Sequence, residues 1–347
     1  MRELFVTNFN PNFTGVSATA AGVVGVQQEQ FDLALVGEPL PGCPAPISRK
    51  AAIAASKTPP KDRPFAIWHV RRNPEMRVAV WARDVLRRPI RIVFTSAAQR
   101  FHSAYPRWLI NRMDAVIATT PEAAKFVPHV RAVVPHGVDT ERFSPGSDRG
   151  TDWAALGFGG GFGMATVGRV RPEKGTDLFV EAMIRILPDH PDGVALVVGR
   201  AAREHRGFAQ DLKKRAAAAG LSDRILFVGE LPPEKLPALM RGISLLVALP
   251  RYEGYGMTPL EAMASGAPFV ASDTGYYRSF SGEGAAGRVV GQEDVDGAVF
   301  EINRLLSSQD TLSSMSRTAV SRAREFHSIQ GEADGIAQVY EALWQNG

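Results

Sequence analysis

Short apolar runs alternate with segments whose apolar residues recur every three or four positions, and the alternation persists from one end of the chain to the other. Runs at 4–9, 31–36, 65–70, 91–97, 115–118 and 132–134 read as buried strands of a first sheet. A second set follows at 164–170, 194–198, 225–228, 243–250, 269–272 and 289–290. Helical spacing shows between them at 16–26, 76–88, 108–113, 204–219 and 233–240. The same spacing assigns Phe179, Ala182, Met183, Ile186 and Leu187 to a core, and 295–344 reads as largely helical. Strand followed by helix in both halves predicts an α/β protein built of two Rossmann-like, doubly wound parallel sheets.

At 347 residues the chain exceeds the size at which one core usually keeps growing, so two domains are expected. We place them at 1–145 and 146–330, joined by a Gly- and Ser-rich linker at 144–163, with the final helix, 331–347, packing back on the first. The glycine cluster 157–163, GFGGGFG, precedes its strand instead of following one, so it reads as linker and not as a dinucleotide-binding turn. A hydrophobic share of 45% with 22% charged residues excludes a disordered or collagen-like chain. Cys43 is the only cysteine, which excludes a disulfide framework and a cysteine metal cluster and suits a reducing cytoplasm. The first residues lack the apolar core of a signal peptide, and no apolar run approaches the roughly 18 residues of a membrane span, so a cytoplasmic protein is expected. The net charge of +4 hides an asymmetry: from Lys61 to Arg112, twelve Lys or Arg stand against three acids (Asp62, Glu75, Asp84). Such a basic half suits an anionic membrane surface or a phosphorylated acceptor; nucleic acid is not expected, because no binding motif accompanies the charge.

Candidate chemistry concentrates in 251–268, RYEGYGMTPLEAMASGAP, where an apolar run leads into a glycine turn and then a helix start. Gly254 and Gly256 let the backbone approach a ligand, and Thr258 with Pro259 reads as helix cap and first helical residue. Free N–H groups at such a terminus favour a phosphate. Glu261 has two readings, a cap for Thr258 in a capping box or a ligand-binding acid. A second cluster, VGRVRPEKG at 167–175, carries Arg169 and Lys174 in the turn after a strand, some 80 residues before Glu253. In the first half, His69, Arg71 and Arg72 follow one strand, Ser96 and His102 lie at or beyond the end of the next, and Gly15 opens the first helix. Polar residues beyond parallel strands are where ligands of open α/β sheets bind.

The run EGYGMTPLE resembles the E-x7-E signature of retaining glycosyltransferases of family 4, which have the GT-B fold of two Rossmann-like domains facing a cleft. The turn VGRVRPEKG is similar to that family's G-R-x-x-x-x-K-G element, and HGVDTERFSP resembles its inter-domain hinge. The phrases TGVSATA, IWHVRRNPEM, FTSAAQRFH and RWLINRMDAVIATTPEA look like the lipopolysaccharide core mannosyltransferases of rhizobial bacteria. The resemblance implies transfer of mannose from GDP-mannose to an inner-core sugar of a lipid-linked acidic acceptor, with retention, without metal or other cofactor, at the inner face of the cytoplasmic membrane. By the same resemblance Arg169 and Lys174 neutralise the donor diphosphate and Glu253 faces the sugar. Glu261 holds the ribose hydroxyls, the backbone of Tyr255, Gly256, Met257 and Thr258 lies near the diphosphate, and Gly15 gives room to donor and acceptor. His69, Arg71, Arg72, Ser96 and His102 are the acceptor-side candidates; Ser96 stands where many family members carry a histidine. Other nucleotide sugars of the same family (UDP-glucose, UDP-galactose or UDP-GlcNAc), a pyridoxal-phosphate phosphorylase of the same architecture, and a non-catalytic sugar-binding protein are the alternatives.

Overall fold

Each set of apolar runs forms one six-stranded, all-parallel sheet in the computed structural model, which describes residues 2–346. The first sheet contains β1 (Leu4–Asn8), β2 (Leu33–Gly37), β3 (Ala66–Val70), β4 (Ile90–Ser96), β5 (Ala115–Ala118) and β6 (Val130–Val133), in the order β2-β1-β3-β4-β5-β6. The second contains β7 (Phe162–Val167), β8 (Gly193–Val198), β9 (Ile225–Gly229), β10 (Leu245–Ala248), β11 (Phe269–Ser272) and β12 (Gly287–Val290), in the order β12-β11-β10-β7-β8-β9. Strand order reverses between β1 and β3 in one sheet and between β7 and β10 in the other. At such switch points successive loops leave toward opposite faces and open a crevice beyond the strand ends.

Both faces of each sheet are covered, which is why the strands are continuously apolar. In the first sheet Phe5, Trp68, Ile92 and Phe94 pack with Met76 and Leu109 on one face, while Val6, Ile67, Val93 and Ile117 pack with Ile336, Tyr340 and Trp344 on the other. In the second, Met164, Leu245, Val247 and Val270 pack with Phe179, Met183 and Ile302. Each fully buried side chain of this kind contributes roughly 1.5–3 kcal/mol.

The chain separates into two compact units, Met1–Asp139 with His327–Gly347, and Thr140–Phe326. The break therefore falls at 139/140 and 326/327, not at 145/146 and 330/331. The last helix, Ile329–Gln345, belongs to the first unit: Trp344 Nε1 donates to the Phe65 carbonyl at 2.9 Å, and Arg63 pairs with Glu341 at 2.6 Å.

The stretch read as a linker is structured. Asp148 caps a helix, Arg149–Leu156, by accepting from Thr151 N at 2.7 Å, and Gly157 ends it in the left-handed region at φ 74°. Gly163 already lies in β7, where a Cβ would sit 2.0 Å from the Trp153 ring. The glycines thus stop a helix and admit an indole, two tasks that composition does not distinguish from flexibility. The helical pattern at 76–88 resolves into a helix, Asn73–Val80, that passes into a π turn, Trp81–Val85, and the one read at 108–113 lies at Ala104–Ile110.

Candidate active site

β7 and β10 are neighbours, paired through Leu245↔Met164 and Leu246↔Ala165, so the turns that follow them meet although they lie far apart in sequence. After β7 the chain makes one 3-10 turn, Pro172–Lys174, before the helix Thr176–Ile186. Gly175, at φ 63°, separates the two, and a Cβ there would lie 1.7 Å from the Leu249 carbonyl oxygen. Only glycine allows the turn to press so closely on the end of β10.

Arg251 fastens that contact. Its guanidinium bonds Asp177 through two arms at 2.9 and 2.8 Å, the Pro172 carbonyl at 2.6 Å and Glu293 at 2.6 Å, while its backbone N–H reaches the Glu173 carbonyl at 3.0 Å. Hydrogen bonding to Asp177 and Glu293 holds its pKa above the ordinary arginine value. The turn so held presents Lys174, whose Nζ lies 2.5 Å from Glu253 Oε2, with the two side chains 25% and 20% exposed. Arg251 and Asp177 carry no motif of their own; the signal that could have found Arg251 is its place at the head of the glycine turn.

Glu253 is braced in turn: Oε1 accepts from Gly254 N at 3.1 Å, and its own N–H donates to Thr274 Oγ1 at 3.1 Å. Tyr255 is buried and stacked on Tyr276 at 5.3 Å. Gly256, at φ 88°, lies so close to Tyr277 that a Cβ would sit 2.2 Å from its ring. This left-handed glycine starts the helix Met257–Ala264 itself, so Thr258 is not the cap and Pro259 is not its first residue. Thr258 instead bonds Tyr277, a phenol held neutral by burial and by the charge of Glu253.

Glu261 does not complete a capping box. It lies on the same helix, half-buried, and among the described residues no hydrogen bond reaches its carboxyl group. Burial pushes its pKa up to about 7, against the opposing charge of Arg142. A desolvated acid without a partner beside a helix N-terminus is a mark of a ligand site. Arg169 is exposed in the turn after β7, with no side-chain hydrogen bond or ion pair among the described residues. The expected cationic pair is therefore one lysine set against an acid and one solvated arginine.

In the first unit the acceptor-side candidates fall into different environments. His69 is wholly buried on β3; Nε2 meets Thr95 Oγ1 at 2.7 Å and Nδ1 meets the Tyr340 hydroxyl, and burial keeps the ring neutral. It is a core histidine and offers nothing to an acceptor. Arg72 is a clamp: it reaches Asn8, Thr14 and Ser17 at 3.0, 3.2 and 2.9 Å and pairs with the fully buried Glu75 at 3.0 Å. It thereby secures the start of the helix Gly15–Gln27, where Gly15 has open space around it. Ser96 is buried at the end of β4, and its Oγ has no partner among the described residues. His102 is partly buried, its pKa lowered by desolvation and by Arg100. Arg71 is buried as well.

A paired lysine and glutamate at the β7/β10 switch point, a glycine turn opening a helix, and a second sheet of the same kind define a GT-B protein. The model of the family described as "Glycosyl transferases group 1" matches residues 158–322. The fold is that of HepE from Anabaena, solved in complex with UDP and glucose, at a TM-score of 0.83 over 98% of this chain and all of that one, with 15% identity. The C-terminal domain of a group 1 glycosyl transferase, LpcC from Francisella tularensis, covers 56% of this chain with all of its own at 28% identity and a TM-score of 0.54. The chain belongs to the group 1 glycosyltransferases. It is 41% identical to the lipopolysaccharide core biosynthesis mannosyltransferase LpsB of Rhizobium meliloti (strain 1021), over 98% of this chain and 97% of that one. It is 40% identical to LpcC of Rhizobium leguminosarum bv. viciae, which carries the same description, over 98% and 96%. The enzyme is thus a glycosyltransferase of the lipopolysaccharide core mannosyltransferase type.

Proposed function

We propose that the enzyme moves mannose from GDP-mannose to an inner-core sugar of a lipid-linked lipopolysaccharide acceptor, with retention of configuration and without a metal. The observation that carries this reading is the Lys174–Glu253 pair at the β7/β10 switch point, with Glu261 unpartnered on the adjoining helix. Breaking the sugar–phosphate bond leaves negative charge on the departing diphosphate. Lys174, Arg169 and the free N–H groups at the start of the helix Met257–Ala264 are suited to stabilise that charge without rearrangement. Glu253 then holds the sugar and Glu261 accepts from the ribose hydroxyls. The acceptor hydroxyl attacks from the face the diphosphate leaves, the diphosphate takes its proton, and no enzyme-bound sugar forms. Mannose and the core acceptor are supported by the two rhizobial relatives at 41% and 40% identity.

The test is slow hydrolysis and transfer with GDP-mannose, UDP-glucose, UDP-galactose and UDP-GlcNAc, with and without EDTA, reading the anomeric proton of the product by NMR. Turnover of a UDP-sugar in preference to GDP-mannose overturns the donor assignment, an inverted product overturns retention, and loss with EDTA overturns metal independence.

The same reading places the enzyme on the cytoplasmic membrane face. Among the described residues no helix is long and apolar enough to cross a membrane. Trp81, Phe101, Tyr105 and Trp108 are exposed, Tyr105 stacks on Trp108 at 6.3 Å, and Arg112 covers the Trp108 ring at 4.4 Å. Aromatic rings interleaved with arginines suit an anionic lipid surface. Co-sedimentation with phosphatidylglycerol vesicles, absent with phosphatidylcholine and weakened by Trp108→Ala, is the expected result.

A further inference from the structure

Beyond the strand ends of the first unit lies a cation with no ion-pair partner among the described residues. Arg71 follows β3 and is 8% exposed, yet Nε and Nη1 have no hydrogen-bond partner among the described residues, and the guanidinium makes no ion pair there. Burying an uncompensated charge is among the costlier arrangements a fold can hold. The acids within electrostatic range are engaged elsewhere. Glu75 pairs with Arg72 and accepts from Thr7 Oγ1 at 3.0 Å and from the N–H groups of Phe9, Arg71 and Arg72 at 3.1, 2.7 and 3.1 Å. Glu332 accepts from His136 Nδ1 at 2.7 Å and Gly137 N at 2.8 Å. His69, two residues back, is committed to Thr95 and Tyr340.

A second unpartnered group lies nearby in the fold. Thr119 follows β5 and is fully buried, and its Oγ1 has no partner among the described residues. Val70 is in register with Phe94 and Ser96 with Ala118, so Arg71 and Thr119 stand just past the ends of the two strands that flank β4. By strand alternation they share the face that carries His69 and Ile117. Between them the chain leaves β4 at the partly exposed Ala97.

We propose that Arg71, with the Thr119 hydroxyl, forms an anion subsite that receives one carboxylate or phosphate group of the acceptor. This rests on the reading of the first unit as the acceptor side. A planar guanidinium with free donors matches either oxyanion in geometry and charge. The subsite selects an acidic acceptor, whereas Arg72, the other arginine of the same turn, is a structural clamp.

The experiment follows thermal unfolding of the whole chain saturated with GDP, so that the donor site is filled, while inorganic phosphate or acetate is titrated at constant ionic strength. Wild type should show a saturable rise in midpoint of about a few degrees with at least one of the two anions. Arg71→Gln should abolish the rise, and Arg107→Gln, an exposed arginine outside the subsite, should keep it. Arg71→Lys keeps the charge but loses the planar fork and should shift the half-saturating concentration upward by about tenfold; it carries the test if Arg71→Gln does not fold. No response to either anion in wild type, or an unchanged response in Arg71→Gln or Arg71→Lys, overturns the proposal. Absence of stabilisation by GDP itself reports separately on the donor reading. The anion that responds identifies the acceptor group as carboxylate or phosphate.

Discussion

Replacing Arg251 by methionine keeps its aliphatic stem and removes the guanidinium that ties the Pro172–Lys174 turn to the end of β10. Four hydrogen bonds to three partners are lost. The bond to Glu293 ends on a carboxylate that is 59% exposed and is worth about 0–1 kcal/mol. The two-pronged bond to Asp177, 21% exposed, contributes about 1–2 kcal/mol once discounted for solvent around a guanidinium that is itself 31% exposed. The bond to the Pro172 carbonyl adds about 1 kcal/mol. The sum, about 2–4 kcal/mol, lowers the unfolding midpoint of a unit of this size by about 4–16 °C. The effect on turnover should be larger than stability alone implies. Lys174 ends the same turn, and a displacement of about 1 Å in a positioning element costs on the order of a hundredfold. We expect Arg251→Met to lower kcat by about 10- to 100-fold at a temperature where it is fully folded. Because Arg251 acts through Lys174, the double variant Arg251→Met/Lys174→Ala should be little slower than Lys174→Ala alone. Transfer or donor hydrolysis, measured beside thermal melts, checks both. A variant that melts early yet turns over normally, or a double variant whose losses multiply in full, refutes the positioning role.

Lys174→Ala and Glu261→Ala should each lower transfer by on the order of a hundredfold or more, the scale of a lost charged transition-state contact, as read from initial rates. Glu261, with its pKa raised from 4.5 to about 7 by burial, favours the folded state when protonated. The stability it contributes is therefore complete below about pH 4.5 and is lost as pH rises through about 7; Glu261→Gln should lack this slope, a difference of up to about 3 kcal/mol between melts at pH 4.5 and pH 8. Arg72→Glu should unfold the first unit outright, because it sets a second carboxylate against the fully buried Glu75 and removes its only ion pair among the described residues; Arg72→Gln should fold with a lowered midpoint, visible by circular dichroism.

The sheets were legible because parallel strands are covered on both sides and appear as unbroken apolar runs, and the glycine turn was legible because Gly254 and Gly256 stand between a strand and a helix start. What escaped depends on partners distant in sequence. The place of Arg251 is set by Asp177, and that of His69 by Tyr340, contacts no local pattern announces. The start of the helix Met257–Ala264 was misread because Thr-Pro-x-Glu is a good cap signal, but the left-handed Gly256, wedged against Tyr277, enters the helix two residues earlier. The supposed linker failed for the same reason: Gly163 answers to the Trp153 ring and Gly160 to Asp192 and Val194, not to chain flexibility.

The basic segment shows how counting charge differs from locating it. Of its twelve cations, Arg63, Arg72, Arg83, Arg91 and Arg112 are matched to acids, and three of those acids, Glu3, Asp114 and Glu341, lie outside 61–112. The field this half presents to a partner is therefore weaker than its composition suggests. What distinguishes one arginine from another is whether the fold already neutralises it. Arg72 is spent on Glu75, Arg107 stands in solvent, and Arg71 alone combines deep burial with a guanidinium whose donors find no acceptor among the described residues. A protein holds such a charge out of water only at a free-energy cost. An arriving oxyanion that offsets the cost would gain affinity from it, so the residue least favourable to the isolated fold is the one best suited to select the acceptor.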